Sequence, residues 1–169
     1  AYTPCFRREA GSHGKDTRGL LRVHQFDKVE LVRFERIEQG AAALEELTAH
    51  AERVLQLTGL VYRVVRLAAG DLGFASAHTY DLEVWAPGVE KWLEVSSCSV
   101  YNDFQSRRAN IRYRPEPGAK PEFAVTLNGS GTALARLYAA LLETYQQADG
   151  SIRLPEPVAN YFGADRIAT

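Results

Sequence analysis

The chain has little of what marks several specialised classes of protein. Its 169 residues include only two cysteines, Cys5 and Cys98, with no CxxC pair and no Cys/His cluster. Neither a disulfide framework nor a zinc site is indicated, so we expect free thiols and no zinc. No apolar run approaches the roughly 18 residues of a membrane span, and the first residues lack a signal-peptide pattern. We therefore expect a soluble cytoplasmic protein with no membrane partner.

The sequence also lacks an excess of either charge, with 20 Lys and Arg against 21 Asp and Glu and a net charge of -1. No overall field would attract nucleic acid, so any RNA contact depends on local patches. A GxxxxGKS or GxxxxGKT phosphate loop and the strand-helix alternation of a dinucleotide fold are absent. The 46% of hydrophobic residues are enough for one sizeable core, which predicts a single domain over residues 1–169.

The sequence pattern of residues 3–30 predicts a strand, a long polar loop and a second strand. The first arm ends in FRRE at Phe6 to Glu9, and the second, residues 20–30, alternates its side chains between two faces. One face would carry Arg22, His24, Phe26, Lys28 and Glu30. A packed strand would have an apolar row at these positions, so the pattern favours a surface that binds a ligand.

The side chains of this hairpin suit a ligand that contains phosphates, an aromatic ring and an amine. Arg7 and Arg22 can hold phosphate oxygens in two-point contacts. Phe26 offers a flat face for a base, and the carboxylates of Glu9 and Glu30 accept hydrogen bonds from amino groups. The alternative is a solvated hairpin with ordinary surface charges, and the residues alone leave both open.

The loop between the two arms, residues 10–19, is rich in glycine and charge, which favours contact with an anionic partner. The chain opens on AYTPCFRRE, without an initiating Met, and its candidate functional residues begin in the first strand. Because such a strand would normally be flanked by earlier structure, we expect a fragment or a processed chain.

The sequence of residues 31–128 predicts a helix followed by strands. Apolar residues recur at helical spacing over residues 41–57, and Gly59 is the expected C-terminal cap. Strands are predicted at residues 60–67, 80–85, 91–97 and 122–128. The polar stretch at residues 99–114 holds several arginines, a pattern more typical of a solvated connection than of an RNA patch.

An acidic residue interrupts the apolar strand at residues 91–97. Glu94 would share a face with Ser96, and an acid in that position indicates either the edge of a sheet or a site. With Ser97 nearby, Glu94 offers hard oxygen ligands that suit a phosphate-bound Mg²⁺ ion.

A second unusual stretch, TLNGSGTALAR at residues 126–136, predicts a strand that ends in a close turn at Gly129 and Gly131. Thr132 would cap a helix running to about residue 147, with a buried stripe of Leu134, Leu137, Leu141 and Leu142. A glycine turn before a helix start favours an anion site, and Arg136 would add a charge. Close packing of the backbone also accounts for the glycines.

These stretches together resemble one family of enzymes. FRRE followed by HGKDTRGLLRVHQFDKVE is similar to motif 2 of the class II aminoacyl-tRNA synthetases, and LNGSGTALAR is similar to motif 3. GDLGFASAHTYDLEVW, EVSSCSVYNDFQSRRANIRYR and QQADGSIRLPEPV narrow the resemblance to the catalytic domain of bacterial-type seryl-tRNA synthetases. Motif 2 would occupy residues 3–30 and motif 3 residues 126–143.

The resemblance implies an α+β fold in which helices flank an antiparallel β-sheet. It also implies that the chain is the catalytic portion of a longer protein that forms a homodimer. The family's N-terminal helical arm, which binds tRNA, has no counterpart in this sequence. Motif 1, which builds the dimer interface, and a Thr-x-Glu loop that helps to bind serine are expected to be missing as well.

The family's site residues map onto matching positions of this sequence. The implied ATP site consists of Arg7, Glu9, Arg22, Phe26, Glu94, Ser97 and Arg136, with Glu94 and Ser97 also holding Mg²⁺. The implied serine site consists of Glu30, Asn128 and Ser130. Arg7 would grip the α-phosphate and act in catalysis together with Arg136. Residues 11–18 would meet the acceptor end of the tRNA.

The implied activity is ATP-dependent formation of seryl-adenylate and transfer of the seryl group to tRNA(Ser), with tRNA(Sec) as a further partner. Two alternatives stay open. A ligase that loads an amino acid onto a carrier protein also lacks the tRNA arm, but those that resemble this family use zinc-binding cysteines. A non-catalytic paralogue would have lost some of Arg7, Glu94 and Arg136, and all three are present.

Overall fold

A six-stranded antiparallel sheet forms the centre of the computed structural model, which describes residues 1–8 and 19–168. In chain order the elements are β1 (Tyr2–Phe6), β2 (Gln25–Glu35), α1 (Gly40–Thr58), β3 (Tyr62–Arg66), β4 (His78–Ala86), β5 (Lys91–Val100), α2 (Phe104–Ala109), β6 (Arg112–Tyr113), β7 (Glu122–Phe123), β8 (Val125–Ala133), α3 (Leu134–Tyr145), β9 (Ile152–Arg153), α4 (Glu156–Phe162) and β10 (Arg166–Ile167). The large sheet has the spatial order β1-β2-β8-β5-β4-β3, and every neighbouring pair in it is antiparallel. The predicted α+β class, an antiparallel sheet flanked by helices, is confirmed.

Helix α1 packs against β8 and β5 and buries the apolar row that its spacing predicts. The buried residues include Ala43, Leu44, Leu47, Ala51 and Leu55, each no more than 3% exposed. The helix ends where Gly59 adopts a φ of 68°, a left-handed conformation that suits glycine. Helix α1 therefore covers one face of the sheet.

The second arm of the predicted hairpin begins later than its alternation indicates. β2 starts at Gln25, and residues 19–24 form turns and bends. The carbonyl of Leu21 accepts a hydrogen bond of 3.0 Å from Arg136 Nε, so this segment is held against α3 instead of entering the sheet. The prediction that Arg22 and His24 lie on the strand face is wrong.

The glycines of the second unusual stretch lie inside a strand. β8 runs through Gly129 and Gly131 to Ala133, which is the N-cap of α3. The predicted turn is therefore wrong, and so is the Thr132 cap, because the Thr132 hydroxyl donates to the Gly131 carbonyl (2.7 Å). The arrangement on which an anion site depended, a glycine turn feeding the helix, does not form.

Close packing explains why one of these positions is glycine. A Cβ atom on Gly129 would lie 2.6 Å from Cys98 Sγ and 2.8 Å from Leu47 Cδ2. Helix α1 thus sits directly on the strand backbone at this point, which a larger residue would prevent.

Smaller differences concern the segments around the sheet. The polar stretch at residues 99–114 contains the short helix α2, which its composition did not predict. Leu142 is 42% exposed and so does not belong to the buried stripe of α3. The helices of the described part of the chain include none with the length and apolar character needed to cross a membrane.

Candidate active-site cleft

An open cleft lies where β2, β5, β8 and the start of α3 meet. Its polar lining consists of Arg7, Lys28, Glu94, Ser96, Ser130 and Arg136, and its apolar lining of Leu21, Val23, Phe26, Val95, Ala133 and Ala135. Residues from both ends of the chain therefore meet in one place. Among them are five of the predicted site residues, Arg7, Phe26, Glu94, Ser130 and Arg136.

Arg7 and Phe26 form a cation–aromatic pair at the cleft. Arg7 directly follows β1, and its backbone N–H donates to the His24 carbonyl at 2.8 Å. The guanidinium carbon of Arg7 lies 4.7 Å from the centre of the Phe26 ring on β2. A positive charge and a flat apolar surface are thus adjacent, as binding of a phosphorylated base requires.

Arg136 crosses the cleft from the first turn of α3. Its Nε donates to the Leu21 carbonyl (3.0 Å) and its Nη1 to the Glu94 carbonyl (2.8 Å). The same Nη1 lies 3.9 Å from the Glu94 carboxylate. These contacts fix the guanidinium plane and leave its charge at the cleft, which only a rigid fork of donors achieves.

A β-bulge decides which β5 side chains share a face of the sheet with Glu94. Leu82 pairs with Ser96, whereas the next residue of β4, Glu83, pairs with Glu94, so Val95 is an extra residue in β5. Because side chains alternate along a strand, the insertion brings Glu94 and Ser97 to the same face. Ser96 takes the buried side opposite Leu82.

The predicted shared face of Glu94 and Ser96 is therefore wrong. Ser96 is 5% exposed, and its hydroxyl donates to the Ser130 carbonyl at 2.6 Å. It ties β5 to β8 beneath the cleft. A bulge cannot be read from alternation within one strand, because it depends on the register of the partner strand.

Asp81 is a polar residue of this face that sequence reasoning did not assign to the site. It lies on β4 directly opposite Ser97. Its Oδ1 is buried and has no hydrogen-bond partner among the described residues. The available signal was its place in TYDLEVW, on the face of β4 opposite to the apolar Leu82.

The carboxylates of Asp81 and Glu94 are poorly neutralised. Burial raises the pKa of Glu94, and the charge of Asp81 raises it further, against the opposing effects of Arg136, Arg7 and Lys28. Burial also raises the pKa of Asp81, although the hydrogen bond with Ser97 opposes the shift. Two acids held together in partial burial are a site where a bound cation is favourable.

Glu30 and Ser130 face each other across β2 and β8. A bulge at Gly131 shifts the register between Val29 and Glu30, which makes Glu30 the direct partner of Ser130. The Glu30 Oε2 atom is buried, has no hydrogen bond among the described residues and lies 3.7 Å from Lys28 Nζ. Two of the predicted serine-binding residues are thus neighbours, and one carries an unsatisfied acceptor.

The remaining predicted site residues have different positions. Asn128 lies on β8 opposite Val32, and its Oδ1 accepts a hydrogen bond from the Tyr101 hydroxyl (3.2 Å). Arg22 lies in the turn segment before β2. Glu9 and the loop predicted to meet tRNA, residues 11–18, lie outside the described residues.

The oxygen atoms of Glu94 and Ser97 fit the chemistry of a Mg²⁺ ion in part. No cluster of three or more His, Cys, Asp or Glu side chains that could hold a metal occurs in residues 1–8 and 19–168. Magnesium bound by phosphates needs only one or two carboxylates, since phosphate oxygens and waters complete its shell. The orphaned Asp81 Oδ1 beside Ser97 agrees with a cation at this place.

The model of the "tRNA synthetase class II core domain (G, H, P, S and T)" matches residues 1–145. The chain belongs to the class II tRNA synthetase core family. Two bacterial relatives named serine-tRNA ligase are each 64% identical to it, over 168 residues in Gemmatimonas aurantiaca and over 167 in Akkermansia muciniphila. The matches cover 99% of this chain but 40% and 39% of those proteins, so it spans about two fifths of their length.

Solved structures of the family have the same fold. The seryl-tRNA synthetase of Pyrococcus horikoshii complexed with ATP has a TM-score of 0.94 and 43% identity, and the match covers 99% of this chain and 37% of that one. The cytoplasmic serine-tRNA ligase of Naegleria fowleri in complex with AMP has a TM-score of 0.91 and 35% identity, covering 99% and 40%. The resemblance to seryl-tRNA synthetases is thereby confirmed.

Proposed function

We propose that this chain is the catalytic portion of a serine-tRNA ligase, which activates L-serine with ATP and transfers it to tRNA(Ser). The observation that carries the proposal is the meeting of Arg7, Phe26, Glu94 and Arg136 in one cleft. Relatives named serine-tRNA ligase at 64% identity support the amino acid. Structural neighbours described with ATP and AMP support a nucleotide as the ligand.

In the proposed nucleotide site, the base stacks on Phe26, and Glu9 accepts from its amino group. Arg7 binds the α-phosphate, while Arg22 and Arg136 bind the β- and γ-phosphates. Glu94 and Ser97 would hold Mg²⁺, which supplies positive charge against the phosphates. The bulge at Val95 supports this assignment, because it puts the side chains of Glu94 and Ser97 on the same face of the sheet.

The proposed serine site lies further along β2, around Glu30 in the middle of the strand. Glu30 accepts from the ammonium and hydroxyl groups of the substrate, beside Ser130 and Asn128. A serine carboxylate oxygen attacks the α-phosphorus in line, and the bond to the β-phosphate oxygen breaks as pyrophosphate leaves. The terminal ribose hydroxyl of the tRNA then attacks the seryl carbonyl, and AMP leaves. Arg7 stabilises the charge that develops on the α-phosphate, so positioning and electrostatics supply the catalysis.

We further propose that the functional protein is a cytoplasmic homodimer in which this portion is joined to a tRNA-binding arm, with residues 11–18 near the acceptor end. A further substrate would be tRNA(Sec). The length that the relatives have beyond the matched stretch supports additional parts. No observation favours a carrier-protein ligase or a non-catalytic paralogue.

Serine-dependent exchange of pyrophosphate into ATP tests the proposal. We would measure it on this chain and on a chimera that joins it to the rest of the Gemmatimonas aurantiaca ligase, which is 64% identical over the shared part. We expect exchange with L-serine by the chimera and ATP binding by the chain alone. Activation of another amino acid in preference to serine, or a folded chain that does not bind ATP in calorimetry, would contradict it.

A further inference from the structure

Lys28 is a charged residue of the cleft that the proposed mechanism does not use. It lines the cleft together with Arg7 and Arg136. Its Nζ lies 5.9 Å from the centre of the Phe26 ring and 3.7 Å from Glu30 Oε2. Its side chain is only 26% exposed, and its ammonium group makes no hydrogen bond to the described residues. A half-buried ammonium that makes no hydrogen bond to the described residues has donors to offer a ligand.

The spacing of β2 places Lys28 between the two ends of the proposed ligand. Phe26, Lys28 and Glu30 occupy alternate positions of one strand and so share a face. Alternate residues of a strand lie about 6.5–7 Å apart. In an aminoacyl adenylate, the α-phosphate lies between the base and the amino acid. The residue between the base-stacking ring and the amine-binding carboxylate therefore faces that phosphate.

We infer that Lys28 binds the α-phosphate and the reacting carboxylate of the amino acid, and so is a further catalytic residue. This inference rests on the proposed function. The attacking carboxylate and the α-phosphate are both anions, and a cation between them lowers their repulsion as the new P–O bond forms and the bond to pyrophosphate breaks. Arg136 is tied to the carbonyls of Leu21 and Glu94, away from Glu30.

The contact between Lys28 and Glu30 links the two halves of the site. In the free chain, Lys28 is the cation next to the buried Glu30 Oε2. A substrate ammonium that binds Glu30 takes over this role, because the substrate can also satisfy the unpaired oxygen with a hydrogen bond. Lys28 is then released toward the phosphate. Binding of the amine and binding of the phosphate therefore favour each other.

Calorimetry with AMP and with adenosine tests the phosphate contact directly. We expect Lys28→Gln to weaken AMP binding about tenfold, the loss of one charge-assisted hydrogen bond, and to change adenosine binding less than about twofold. Lys28→Arg should retain most of the AMP affinity. Lys120→Gln, on an exposed loop residue, is the matched control and should behave as the wild type.

The same variant in the chimera tests the catalytic part. We expect Lys28→Gln to lower kcat of serine-dependent exchange more than it raises KM for serine, with partial rescue by Lys28→Arg. Equal losses for AMP and adenosine, or unchanged AMP binding and kcat, would overturn the role of Lys28. A folded wild-type chain that binds no AMP would overturn the proposed function, and this inference with it.

Discussion

Glu94 and Ser97 lie three positions apart on β5 yet face the same side of the sheet, because the extra residue Val95 forms a bulge between them. A regular strand would send them to opposite faces. The bulge thus brings two oxygen-bearing side chains to one face of the sheet, next to Asp81 on β4, and Arg136 Nη1 lies 3.9 Å from the Glu94 carboxylate. Bulges at such places re-aim side chains and often accompany functional sites.

Substitution of Glu94 should separate metal-dependent from metal-independent nucleotide binding. We expect Glu94→Gln to weaken ATP binding about tenfold in the presence of Mg²⁺, because the proposed ion loses a carboxylate ligand. In EDTA the variant and the wild type should bind ATP almost equally. Calorimetry with and without Mg²⁺ measures both, and the exposed Glu116→Gln serves as control. An equal loss with and without the metal would contradict a role of Glu94 toward magnesium.

The stability of the chain should depend on the charge of Asp81. Because burial raises the pKa of Asp81 in the folded chain, its neutral form favours folding, and this contribution is lost as the pH rises through that value. Asp81→Asn keeps a hydrogen-bond acceptor for Ser97 and removes the charge. We expect the variant to melt about 2 °C higher than the wild type at pH 8, with the difference shrinking toward pH 4.

Thermal unfolding followed by circular dichroism across this pH range checks the effect. Asp71→Asn, in an exposed turn, is the control and should leave the melting temperature unchanged. A lower melting temperature of Asp81→Asn at pH 8 would show that the charge is compensated in the folded chain.

Gly129 should tolerate no side chain. Gly129→Ala places a Cβ within 2.6 Å of Cys98 Sγ and 2.8 Å of Leu47 Cδ2, so α1 has to move away from the sheet. We expect a loss of about 1–3 kcal/mol in the free energy of unfolding, measured by urea denaturation. Gly70→Ala is the matched control, because nothing lies within 4 Å of a Cβ there. Similar stabilities for the two variants would mean that β8 and α1 separate easily.

Arg136 should hold the segment before β2 in place. Its two hydrogen bonds to the Leu21 and Glu94 carbonyls require a fork of donors, which lysine does not have. We therefore expect faster amide hydrogen exchange over residues 20–24 in Arg136→Lys, together with weaker ATP binding. Arg166→Lys, which affects an exposed contact to Asp149, should change neither. Weaker ATP binding without faster exchange would mean that Arg136 contacts the ligand but does not hold residues 20–24 in place.

Much of the fold follows from local patterns in the sequence. The apolar spacing of residues 41–57 predicts α1 because one helix face has to be buried, and Gly59 marks its end because a left-handed backbone favours glycine. Alternation predicts β3, β4 and β5 in the same way. The blocks FRRE and LNGSGTALAR also identified the family, because a motif depends on the order of its residues, which the composition does not contain.

The sequence by itself determined the two long helices, most strands, the family and the residue types of the cleft. The tertiary structure decided which of those residues face one another. The bulges at Val95 and Gly131 arise from pairing between distant strands, and Asp81 joins the site only through its place opposite Ser97. The turn before β2 depends on a hydrogen bond from Arg136, far away in the sequence. Such contacts join residues that are far apart in the sequence, so the periodicity of a single segment does not predict them.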